Sequence, residues 1–145
     1  MSLHSDAVRE YEKTLRQKYN IPSNTKISSK RGIDFVVPGE EGDEYYIIKA
    51  TAEEKGAFTA VSTNVWLKIQ NVPTHFIIAR KMKDDKFSFD EELTPEQFAR
   101  CQTDFYGSMK FDIDKDDIEK AKISTEDVKD KLLTFAKTVA RATNQ

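Results

Sequence analysis

The chain is predicted to be an α/β domain with a mixed central β-sheet flanked by helices. Three observations predict it. Val8, Tyr11, Leu15 and Tyr19 recur at the 3-4-4 spacing of one helix face. Tyr45 to Ala50 is a nearly continuous apolar run of strand length, which suits a central strand covered on both sides. The order then reads strand–strand–strand–helix–strand after an opening helix, followed by a less regular half that ends in a long helix.

Each element has a local cause. The first helix is expected over Ser5 to Tyr19, with Ser5 as N-cap and Asp6 favourable in the first turn; Pro22 and Ser23-Asn24-Thr25 end it. Ile33 to Val37 is a short β-rich run closed by Pro38-Gly39, and the acidic segment Gly39 to Glu44 is a hairpin-type connection to the Tyr45–Ala50 strand. Phe58 to Val61 reads as the third strand. Ser62 or Thr63 caps a helix carrying Val65, Trp66 and Ile69, stopped near Pro73, and His75 to Ala79 is the next strand. Arg80, Lys81, Lys83 and Lys86 form a charged turn that also contains Asp84 and Asp85, so it reads as solvated, with a phosphate-contacting patch as the alternative. Phe87-Ser88-Phe89 alternates as an edge strand. Thr94-Pro95-Glu96-Gln97 is a helix start with threonine as cap, proline first and glutamine closing a capping box. Phe105 to Ile113 is expected to be extended. Ser124 or Thr125 caps the last helix, which carries Val128, Leu132, Phe135, Ala136 and Val139.

A length of 145 residues gives one domain, 1–145, with no internal repeat or linker. No apolar run approaches the roughly 20 residues needed to cross a bilayer. Met1 to His4 is too short and polar for a signal peptide, and the expected compartment is the cytoplasm. Cys101 is the one cysteine, which excludes an internal disulfide framework and a cysteine-based zinc site. The formal net charge of −2 gives no global pull toward nucleic acid, so a nucleic-acid surface requires a local basic patch.

The chemically suggestive stretch is Gly32-Ile33-Asp34 followed, beyond an acidic turn, by Ile47-Ile48-Lys49-Ala50-Thr51. These residues resemble the PD-(D/E)xK nuclease superfamily, in particular its restriction-endonuclease-like and Mrr-like members. Val61-Ser62-Thr63-Asn64-Val65-Trp66 and the Phe76–Ala79 strand are similar to the same domains. The resemblance covers a core of about 5–80 and leaves an extension, about 81–145, unexplained. It implies a restriction-endonuclease-like core in which Asp34 and Glu12 hold Mg²⁺, while Lys49 orients the attacking water or stabilises charge on the phosphorane. Ile47 stands where the resemblance requires a second strand carboxylate, and isoleucine ligates no metal. Glu53 or Glu54 would have to reach back to replace it.

Plainer roles stand beside these. Asp34 suits a strand-end acceptor of backbone hydrogen bonds, and Lys49 suits a structural partner of Asp34 or Glu12. Trp66 reads as core, His75 as structural, and Cys101 as a small buried hydrophobe. Asp112-Ile113-Asp114-Lys115-Asp116 imitates an EF-hand start but has Asp117 where glycine is needed and Ile123 where glutamate is needed; it reads as a solvated loop preceding a helix.

Three functions remain open from sequence. The leading one is a catalytically impaired nuclease-like module associated with DNA or RNA or with a protein, without a cofactor. The second is an active Mg²⁺-dependent nuclease with a migrated carboxylate. The third is a structural or regulatory subunit, or homodimer, without a nucleic-acid role.

Overall fold

A computed structural model describes residues 2–106, 108–124 and 127–143, with the side chains of Phe58, 102–106, 108–110, Asp112 and 141–143 outside the description. The elements run α1 (Leu3–Lys18), β1 (Ser28–Lys30), β2 (Ile33–Gly39), β3 (Gly42–Thr51), β4 (Phe58–Ser62), α2 (Thr63–Lys68), β5 (Thr74–Lys81), β6 (Phe87–Leu93), α3 (Pro95–Ala99), β7 (Gln102–Tyr106), β8 (Ser108–Asp112), α4 (Lys115–Ile123) and α5 (Lys129–Thr143). A five-stranded mixed sheet is ordered β1-β2-β3-β5-β6, and a three-stranded sheet is ordered β4-β8-β7. The expected α/β class with a mixed central sheet, flanking helices and a C-terminal helix is what the chain forms.

β3 is the centre of the large sheet. It pairs antiparallel with β2, from Phe35↔Tyr46 to Gly39↔Gly42, and parallel with β5, from Tyr45↔Thr74 to Thr51↔Arg80. Its side chains alternate between two cores, as strand geometry requires. Tyr45 and Ile47 join Phe76 and Ile78 under α2 and α5, together with Trp66, Phe98 and Phe111. Tyr46 and Ile48 join Phe35, Val37 and Ile77 under α1, whose Ala7, Tyr11 and Leu15 cover that side. Burial on both faces explains why β3 and β5 read as unbroken apolar runs rather than as alternating ones.

Two strand assignments differ from the sequence expectation. The third strand of the central sheet is β1, a fully exposed segment that pairs antiparallel with β2. It carries no apolar residue, so no hydrophobic signal marks it. Phe58–Ser62 is a strand, but it belongs to the small sheet, pairing with β8. The expected extended stretch near Phe105–Ile113 becomes β7 and β8.

Helix boundaries shift for capping reasons. Ser2, not Ser5, is the N-cap of α1, and its hydroxyl accepts from the Ser5 amide at 3.1 Å. Ser62 caps α2 by accepting from the Val65 amide. The capping box before α3 is complete: the Gln97 amide donates to the Thr94 hydroxyl at 3.1 Å, and the Thr94 amide donates to the Gln97 side-chain oxygen at 3.0 Å. Asp114 opens α4 inside the segment expected to be loop, its carboxylate accepting from the Asp116 amide. α5 begins at Lys129, and the expected cap Thr125 lies outside the described residues.

Arg80 departs most from its expected place in a solvated turn. It is 2% exposed. Its guanidinium grips Glu91 of β6 through two bonds of 2.8 and 3.1 Å and donates to the carbonyls of Glu53 and Gly56 at 3.0 and 2.7 Å. The rigid fork of arginine thereby ties β5, β6 and the loop after β3 into one unit. Replacing Arg80 with alanine leaves Glu91 and the Glu53 carbonyl without this donor, and leaves the Gly56 carbonyl with the Thr51 hydroxyl alone at 3.3 Å. Arg80→Ala is therefore expected to lose about 3–5 kcal/mol, read as a lower urea midpoint at unchanged m-value.

Candidate functional site

Of the residues singled out in sequence, Asp34 lies where β2 and β3 splay apart. Gly32 makes the turn from β1 into β2 with φ of +80°, a conformation that favours glycine, and a Cβ there would overlap a Val65 methyl of α2. The β2–β3 ladder ends at Phe35↔Tyr46. Asp34 follows that last pair, and its carboxylate takes over the ladder's work. Oδ2 accepts from the Ile48 amide at 2.7 Å, and Oδ1 meets His4 Nε2 at 2.9 Å. His4, on the first turn of α1, is thus the helix residue that reaches Asp34.

Glu12 does not join them. It sits two turns further along α1 and pairs with Arg16 at 3.4 Å. The i,i+4 spacing makes that partner available on the helix itself. Glu53 and Glu54 are exposed on the loop after β3, where Arg80 holds the Glu53 carbonyl. Among the described residues no group of three or more histidine, cysteine, aspartate or glutamate side chains converges to hold a metal ion. The residues present do not fit a Mg²⁺ ion held by Asp34 and Glu12.

Ile47 and Lys49 share one side of β3, and they divide sharply in environment. Ile47 is 2% exposed, inside the core beneath α2 and α5. Lys49 is half-buried beyond it, and its Nζ donates to the Ala60 carbonyl of β4 at 3.1 Å. No Lys49–carboxylate ion pair forms among the described residues, so the expected pairing with Asp34 or Glu12 is replaced by a bond to backbone. Burial holds the amine below the usual lysine range, and the charge of Asp34 offsets part of that.

The plainer expectations for the other residues match their surroundings. Trp66 packs among Phe76, Phe98 and Phe111, at centroid distances of 5.7–6.4 Å. Cys101 is buried. His75 makes structural contacts with Glu44 and Glu92 at the opposite end of the sheet.

A surface that motif reading passed over lies beside this site. From Lys13 to Ile33 the chain has Lys13, Arg16, Lys18, Lys26, Lys30 and Arg31 and no aspartate or glutamate. Folding neutralises two of these cations. Lys13 pairs with Glu10, and Arg16 binds Glu12 and the Pro22 and Thr25 carbonyls, while Lys18 stays exposed and donates to the Tyr46 hydroxyl. Lys26, Lys30 and Arg31 stay exposed along the β1 edge, and Lys68 of α2 joins them by donating to the Arg31 carbonyl at 3.1 Å. Lys30 lies over the Tyr45 ring and donates to its hydroxyl at 2.9 Å, which raises its pKa. None of these four cations is ion-paired with a carboxylate among the described residues. The acid-free run is the signal that identifies them in sequence.

No family model matches the chain, and no curated protein matches it.

Two substitutions separate backbone support from catalytic design. Asp34→Ala strands the Ile48 amide and is expected to cost about 1–3 kcal/mol. Lys49→Met removes a buried charge from a site that penalises it, and is expected to leave stability unchanged or higher at neutral pH. A lowered lysine pKa costs stability while the amine is charged, so this penalty fades as pH rises toward the ordinary lysine range. The wild type should therefore gain on Lys49→Met in alkaline denaturation curves.

Proposed function

We propose that this domain is a PD-(D/E)xK-like scaffold without hydrolytic competence that associates with nucleic acid through the basic β1 edge. The observation that carries the reading is the exposed set Lys26, Lys30, Arg31 and Lys68 along the β1 edge, with no carboxylate partner among the described residues. Strand order in the large sheet supports the nuclease-like part: an opening helix, three antiparallel strands and, after β4 of the small sheet and α2, a parallel strand, with Asp34 on β2 and Lys49 on β3. Three features support the loss of hydrolysis. Ile47 is sealed in the core, the Asp34 carboxylate is committed to the Ile48 amide and His4, and Glu12 is committed to Arg16.

Exposed lysine and arginine side chains bind phosphates mainly by releasing condensed counterions, so such binding weakens steeply with salt. Four contacts predict a slope of log Kobs against log salt of about −3 to −4 on duplex DNA. Lys30→Ala and Lys68→Ala should each reduce that slope by about 1, without changing the fold. No cleavage of DNA or RNA is expected with Mg²⁺ or Mn²⁺. Fluorescence anisotropy across a salt series, alongside a nuclease assay, decides the matter. Salt-independent or absent binding removes the nucleic-acid reading. Metal-dependent cleavage that disappears in Lys49→Ala replaces it with an active nuclease.

A further inference from the structure

At the end of the sheet away from Asp34, one histidine joins three strands. His75 opens β5 between β3 and β6. Its Nε2 lies 3.0 Å from Glu44 Oε1 on β3, and its Nδ1 lies 3.3 Å from Glu92 Oε1 on β6. The ring stacks on Tyr46 at 4.3 Å and 11°. Both ring nitrogens therefore face carboxylate oxygens, which accept but do not donate. A neutral imidazole carries one N–H and one lone pair, whereas the imidazolium carries two N–H groups. Only the imidazolium completes both contacts.

The network continues into α1. The Glu44 Oε2 accepts from the Tyr19 hydroxyl at 3.1 Å, the Tyr19 and Tyr46 hydroxyls are 2.6 Å apart, and Lys18 donates to Tyr46 at 3.2 Å. One ordering satisfies every group: Lys18 donates to Tyr46, Tyr46 to Tyr19, and Tyr19 to Glu44. Burial pushes the Tyr46 hydroxyl up to about 12 and raises those of Tyr19 and Tyr11, so these groups stay neutral donors across the working range. The His75 hydrogen bond is the largest influence holding Glu44 below the usual carboxylate range. The titratable and charged groups facing His75 are thus Glu44 and Tyr46 of β3 and Glu92 of β6, with Lys18, Tyr19 and Tyr11 of α1 behind them. A cleft of about 360 Å³, lined by Glu44, Thr74, His75, Glu92, Thr94 and Gln97, opens the ring to solvent.

We propose that His75 is a proton-operated clamp: as imidazolium it ties β3, β5 and β6 together, and on losing its proton it keeps Glu44 and releases Glu92. The two carboxylates differ in what they lose. Glu44 is 26% exposed, accepts from Tyr19 as well, and has the shorter contact, whereas Glu92 is 47% exposed and hydrates readily. The neutral ring therefore retains Nε2–H toward Glu44 and turns the Nδ1 lone pair toward Glu92, whose side chain swings into water. The end of edge strand β6, just before the Thr94 cap of α3, loosens when this happens.

Nitrogen-15 NMR of the His75 ring through a pH titration of the full chain tests the clamp. Nδ1 is expected to lose its proton first, leaving the Nε2–H form. The ring's titration should move downward in Glu92→Gln, because a glutamine amide donates to the Nδ1 lone pair and satisfies the neutral ring. A titration unmoved by Glu92→Gln or an Nδ1–H neutral form would overturn the proposal, leaving His75 as a ring stacked on Tyr46.

Discussion

The burial of β3 on both faces is the constraint on which the rest of the structure depends. β3 pairs with β2 on one side and β5 on the other, and its alternate side chains fill two separate cores. A strand in that position has no solvated face for polar side chains. Polar groups are therefore pushed to its ends, Glu44 at the start and Lys49 and Thr51 at the finish. The same constraint fixes Ile47 as a core residue. A carboxylate there would be buried among Phe76, Ile78 and Trp66 without a partner, which is among the costliest substitutions a core can take.

The two ends of the sheet then acquire different characters. At the Asp34 end, hydrogen-bonding capacity is spent on backbone: Asp34 substitutes for a missing ladder partner at Ile48, and Lys49 caps a carbonyl of β4. Such groups organise the splay of β2 from β3 and the seating of the small sheet. At the Glu44 end, side chains bond mainly to one another, from Lys18 through two tyrosines and Glu44 to His75 and Glu92. Side-chain networks of this kind are cooperative and respond to the charge of a single member. Arg80 does at the Lys49 end what His75 does at the other, bridging strands and loop, but its charge is permanent. One clamp is thus fixed and the other is open to protons.

Charge segregation in the first quarter of the chain gives the fold a basic edge. The neutralisation of Lys13 and Arg16 by glutamates on α1 depends on helical spacing. Lys30 lies on the short exposed strand β1, Lys26 and Arg31 flank it on either side, and α2 adds Lys68. A net charge of −2 conceals this, because an average over the chain carries no information about which surface each charge occupies.

The sequence by itself determined the α/β class, the doubly buried strands, the capping box at Thr94 and the core roles of Trp66 and Cys101. These follow from apolar period and local hydrogen-bonding chemistry, which act over a few residues. Only the tertiary structure decided the partners of isolated polar side chains. β1 escaped notice because an edge strand needs no apolar residue, and Phe58–Ser62 went to the small sheet because strand propensity does not specify a pairing partner. Glu12 and His4 are both on α1, and which of them faces Asp34 depends on the angle at which the helix crosses the sheet. Arg80 appears in sequence as one more cation of a charged turn, yet it is buried because Glu91 and two loop carbonyls arrive from elsewhere in the chain. Partner choice between residues far apart in sequence is set by packing, and packing is fixed only when the whole chain has folded.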